Sequence, residues 1–233
     1  MSNTDSFVEE VNEEVRRDRL YGLLRRYGWI AVLAIIGIVG GAAYSEYNKA
    51  QARAQAEGLG DAMLAALALN DQSERADALA AIESATPTSA AIVRMMTAAS
   101  QAEAGDAAAS VATLNALAVD GDVPQIYRQV AAFKAITLQG TDTPASERRQ
   151  SLEAMAQPGH PLRLLAQEQL ALIDIETGEP DAAINRYQAI IEDAEVSTDL
   201  QQRALQVIVA LGGEPDVPET NGAALGGGTN PNN

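Results

Sequence analysis

The chain has no cysteine, a single histidine, a single tryptophan and two phenylalanines in 233 residues. Without cysteine there is no disulfide, no thiolate nucleophile and no thiolate-held metal. The one histidine, His160, sits in a Gly-His-Pro turn with no second histidine at ligand spacing, so it reads as a helix cap before Pro161 and neither as a base nor as a ligand. Acidic pairs such as Glu192-Asp193 are adjacent in sequence and point to different sides of a helix, unlike carboxylates that converge on a substrate. Gly226 to Gly228 lacks the following Lys-Ser or Lys-Thr of a phosphate-binding loop. The expectation is a chain with no catalytic residues, no cofactor and no metal.

Positive charge is scarce as well. Lys and Arg number 16 against 32 Asp and Glu, a formal net charge of −16. Such a surface repels nucleic acid and anionic headgroups, and the expectation is no nucleic-acid partner. Aromatic residues make up 4% and alternating β-branched runs are missing, which argues against sheet.

What the chain does have is one long uncharged run, Tyr27 to Ser45 (YGWIAVLAIIGIVGGAAYS). As a helix it reaches roughly 28 Å, close to the ~30 Å hydrocarbon core of a bilayer. Trp29 and Tyr44 fall near its ends, where amphipathic rings meet the headgroups. Arg16, Arg17, Arg19, Arg25 and Arg26 precede it, against Lys49 and Arg53 just after, so the amino terminus is expected in the cytoplasm. Residues 46–233 then lie across the membrane, in a bacterium the periplasm. Gly41-Ala42-Ala43 offers a signal-peptidase site, which would release a soluble periplasmic repeat protein for envelope assembly or cell division. A 26-residue leader before the apolar run favours an uncleaved anchor. Gly37 and Gly41 have the small-xxx-small spacing that allows close helix contact in the membrane, with a second copy in a homo-oligomer or with another protein.

The organisation expected is a cytoplasmic segment (1–26), an anchor (27–45), a periplasmic helical domain (46–211) and a disordered Gly/Pro/Asn-rich tail (212–233). In the first segment Ser6 and Glu9 form a capping pattern, followed by Val8, Val11 and Val15 at helical spacing. Past the anchor, Gly, Pro and Asp punctuate helix-forming sequence into 45–69, 73–84, 88–104, 106–119, 124–139, 144–156, 161–177, 180–194 and 198–211. Pro144, Pro161 and Pro180 stand in first turns, where a missing N–H costs nothing. The fold class is therefore all-α, a single anchor helix followed by an α-solenoid of antiparallel helix pairs.

Turn glycines recur. Gly105, Gly140 and Gly178 are 35 and 38 residues apart, near the period of a helix-turn-helix repeat. Around Gly178, the set Leu170, Ala171, Ala183, Tyr187 and Ile190 resembles the small, glycine and aromatic positions of the tetratricopeptide repeat. Around Gly105 the equivalents are Ala98, Ser110, Leu114 and Leu117. Around Gly140 the pattern departs, with Phe133 in place of a small residue and Arg149 in place of the aromatic. Arg94, Gln101, Gln129, Gln167 and Asp174 recur at corresponding sites of first helices and are the candidate partner-binding residues.

Three features together, Ser6 to Arg19 (SFVEEVNEEVRRDR), Arg26-Tyr27-Gly28 leading into the anchor, and the Tyr44 to Asp61 stalk, resemble the YfgM-type ancillary subunit of the SecYEG translocon in its alphaproteobacterial form. That resemblance implies a non-enzymatic inner-membrane protein whose partners are SecYEG and a PpiD-like membrane-anchored periplasmic chaperone, assisting exported proteins as they emerge.

Overall fold

The computed structural model describes the backbone of residues 3–216, and the side chains of 25, 26, 29, 30 and 33–216. Among the described residues there are nine α-helices, one 3-10 turn and no strand. They fall into two units, Met1–Asp61 and Ala62–Asn233.

The first unit is made by α1, Asn3–Leu67, whose last residues belong to the second. The cytoplasmic, anchor and stalk segments, expected as separate pieces, are thus one helix. The physical reason is plain: the first proline of the chain is Pro87, and Gly37, Gly40, Gly41, Gly58 and Gly60 lower helix propensity without forbidding the helix. Among the described residues no helix is long and apolar enough to cross a membrane. Tyr27, Gly28, Ala31 and Val32 of the uncharged run lie outside the described side chains, as do those of the capping pattern around Ser6. The described part of the run is apolar all round and open, with Trp29, Ile30, Leu33, Ile35, Ile36, Ile38 and Val39 between 47% and 72% exposed.

The second unit strings together α2 (Gln72–Ala80), α3 (Pro87–Glu103), α4 (Ala107–Ala118), α5 (Gln125–Gln139), α6 (Ala145–Met155), α7 (Arg163–Glu176), α8 (Pro180–Ile191) and α9 (Thr198–Ala210). Each packs chiefly on its sequence neighbours, as short connections require, and the arrangement is consistent with an α-solenoid. Starts are set by side chains that accept otherwise unpaired N–H groups. Asp71 takes those of Ser73 and Glu74, Asp106 that of Ala109, and Thr86 and Ser89 form a reciprocal box ahead of Pro87. Pro180 is the first residue of α8, whereas Pro144 caps α6 and Pro161 precedes α7 by two residues.

Stops are set by glycine. Gly105, Gly178 and Gly212 have φ of +84°, +79° and +83°. Each is followed by a residue whose N–H reaches back to a helix carbonyl: Asp106 to Gln101, Glu179 to Asp174 and Gly213 to Ile208. Gly178 and Gly212 are 34 residues apart, so the repeat extends into what the sequence suggested was tail. Gly140 differs. At φ +48° and ψ −135° it makes no such bond and leads into the 3-10 turn Gly140–Asp142, so one glycine of the expected series does another job.

Three apolar clusters run along the stack. Ala91, Ala98, Leu114, Leu117, Ala131 and Ala135 join α3, α4 and α5. Leu152, Ala166, Leu170 and Ile173 join α6 to α7, and Phe133 and Ile136 of α5 pack against them. Ala171, Ala183, Tyr187, Ile190, Leu200, Ala204 and Ile208 join α7, α8 and α9. Phe133, where the repeat pattern expects a small residue, thus packs toward α6 and α7. Seven of the eight arginines between residues 62 and 216 pair with carboxylates, and each of these pairs but Arg186–Asp174 is more than twenty residues apart. Most arginines of this unit thus link segments distant in sequence.

Candidate partner-binding groove

Arg94 and Gln101 lie seven residues apart on α3, two turns along one face, and both line a groove of about 520 Å³ between α2 and α4. Small side chains open it: Ala80, Ala90 and Ala116 stand where larger residues would fill the space. The polar groups along it are braced from α4 and its following turn. Arg94 Nη1 donates to Asp120 Oδ2 at 2.7 Å, and the Gln101 Oε1 accepts from Thr113 Oγ1 at 2.9 Å. The Arg94 guanidinium, together with the Asp122 backbone N–H, holds the Asp120 carboxyl below the usual carboxylate range. The Gln101 amide N–H groups have no protein partner among the described residues. The Ser84 hydroxyl, also on the groove, is buried and makes no hydrogen bond. Thr97 is buried but turns its hydroxyl back to the Val93 carbonyl of its own helix.

The other sequence candidates do not join this groove. Gln129 lines a separate one of about 570 Å³ with Gln125, Ile126, Gln157 and His160. There His160, three residues before α7, accepts at Nδ1 from the Leu162 N–H at 3.2 Å; it caps a turn, and the cap position of the helix is Leu162 itself. Gln167 is half-buried on α7 and lines neither groove.

Asp174 is a correction. It is 1% exposed, its carboxylate accepting from Arg149 at 2.6 Å and from Arg186 at 3.0 Å, so it is a core residue and not part of a binding surface. Beside it Arg148 forks onto both oxygens of Glu176 at 2.6 and 2.7 Å and donates to the Thr143 carbonyl. Arg149, in the position expected to be aromatic, is what the buried acid needs. Nothing in the sequence near Ser84, Thr113 or Asp120 marked them as groove residues, because their positions depend on how α2 and α4 flank α3.

Of the anchor residues, Trp29 and Tyr44 are exposed, and a Cβ added at Gly37 or Gly41 meets nothing within 4 Å. Among the described residues no group of three or more His, Asp or Glu is placed to hold a metal. The groove can offer a ligand the Gln101 amide N–H groups, apolar walls and one guanidinium, which suit a polypeptide. The chain matches no protein-family profile, no curated protein and no solved structure.

Proposed function

We propose that this chain is a single-pass inner-membrane protein, with its amino terminus cytoplasmic and a tetratricopeptide-like helical domain in the periplasm, and that it acts as a non-enzymatic interaction scaffold beside the Sec translocon. The observation that supports the reading is the exposed apolar run of α1, whose large side chains have no protein cover among the described residues. Leaving Ile30, Leu33, Ile35, Ile36, Ile38 and Val39 in water forfeits on the order of 10 kcal/mol, which a bilayer would supply. The arginines before the run orient it, and the resemblance to the YfgM-type translocon subunit supplies the partners: SecYEG and a PpiD-like chaperone.

The mechanism is tethering. An anchored stalk keeps the α2–α4 groove close to the exit of a membrane channel, so that weak contacts suffice because the search is nearly intramolecular. Arg94 and Gln101 hold an emerging chain or a partner domain through side-chain hydrogen bonds. The test is photocrosslinking in intact cells from Tyr44, Tyr47 and Arg94, followed by mass spectrometry of the products. SecY or a periplasmic chaperone is expected; capture of cell-division or outer-membrane components alone would overturn the assignment.

A further inference from the structure

We propose that the outer surface of α8 is a docking site for an extended polypeptide, occupied in this chain by its own residues 213–216. Beyond the reversal at Gly212, the chain does not leave the surface. Past that turn Gly213 and Pro215 are half-buried while Glu214 and Asp216 are exposed, the period-two alternation of an extended segment lying on a face. Gln188, in mid-α8, takes the Asp216 peptide group from both sides. Its Oε1 accepts the Asp216 N–H at 3.0 Å, and its Nε2 donates to the Asp216 carbonyl. The same Nε2 also donates to Glu192 Oε1 at 3.0 Å, one turn on, which fixes the direction in which the amide faces.

An amide that pairs with the N–H and C=O of one residue does what a neighbouring strand does, and reads backbone instead of side chain. Selectivity enters at Gly213. A Cβ there would stand 3.0 Å from Ile208 Cγ2, 3.1 Å from Ile184 Cδ1 and 3.3 Å from the Ile208 carbonyl oxygen, so any side chain must push these neighbours aside and the site favours glycine. The ligand class is therefore an extended segment with glycine three residues before the one whose peptide group is read. Covalent attachment gives the tail a high local concentration, so the site stays closed to competitors that bind weakly. This inference does not depend on the membrane reading.

The test uses the chain ended after Leu211 and a fluorescein-labelled synthetic peptide of residues 212–222 (GGEPDVPETNG). Saturable binding by anisotropy is expected, with affinity for the intact chain at least fivefold weaker because the site is filled. Gln188→Ala in the shortened chain, or Gly213→Val in the peptide, is expected to lose at least tenfold. If the shortened chain fails to fold, Gly213→Val in the intact chain expels the segment and leaves the site whole, so the same gain in peptide binding is expected there. Equal binding to intact and emptied chains, or none to an emptied chain of unchanged circular dichroism, would overturn the proposal.

Discussion

Arg149 of α6 reaches Asp174 of α7 at 2.6 Å, bringing a guanidinium to a carboxylate that is 1% exposed. Because Arg186 of α8 shares the other oxygen at 3.0 Å, one acid ties three helices. Such a group is costly to break from either side: removing the acid leaves two arginines facing a core, and removing one arginine leaves a buried charge under-compensated. Asp174→Ala is expected to destabilise the domain by about 3 kcal/mol, read as a lower urea midpoint at constant slope. Arg149→Ala is expected to cost less, since Arg186 remains. A midpoint unchanged by Asp174→Ala would mean the node contributes nothing.

Gly178 ends α7 at φ +79°, where an L side chain is strained, although open space surrounds the position. Gly178→Ala is therefore expected to cost roughly 1 to 2 kcal/mol through backbone strain alone. Gly178→Asn should cost less, because asparagine tolerates that region. Equal thermal midpoints for the parent and the alanine variant would contradict the assignment of this turn.

Tyr187, 1% exposed between α7 and α9, has its hydroxyl pushed up to about 12, first by burial and then by the nearby Glu168 carboxylate. The neutral phenol is the form the fold retains, whereas the unfolded chain ionises near pH 10. Between pH 10 and 12 the unfolded state thus holds fewer protons, and stability falls as pH rises. Denaturant midpoints of the parent should decline across that window more steeply than those of Tyr187→Phe. Parallel curves would show that Tyr187 titrates normally.

Arg94 and Gln101 are the two candidates that share a groove. Their double replacement, Arg94→Ala with Gln101→Ala, is expected to lower crosslinked partner recovery at least threefold while leaving the thermal midpoint within a few degrees, since the Arg94–Asp120 pair is partly exposed and worth little to folding. Unchanged recovery would remove the groove from the account.

Much of the helix pattern was legible because punctuation is local. Gly105 and Gly178 announce their own turns, and α3 to α5 lie within a few residues of the segments expected. Gly212 was missed because the Gly/Pro-rich residues after it suggested a tail, whereas Gly213 sits against Ile184 of α8 and Ile208 of α9 and the Asp216 peptide group bonds Gln188. Gly140 was over-read, since spacing alone does not tell a glycine that caps a helix from one that enters a 3-10 turn. Asp174 was misplaced for a different reason. Its exposure is decided by Arg149, twenty-five residues earlier, and no local pattern encodes that pairing. The groove was half legible: the seven-residue spacing of Arg94 and Gln101 puts them on one face, but its walls come from α2 and α4.

The central claim is that the apolar run of α1 holds the chain in the inner membrane with the helical domain outside the cytoplasm. Carbonate extraction of membranes, paired with proteinase treatment of spheroplasts, tests it most directly. The account predicts full-length protein in the carbonate pellet and digestion of residues 46–233 only once the outer membrane is breached. Release into the carbonate supernatant, or a carboxy-terminal domain protected until spheroplasts are lysed, would contradict it.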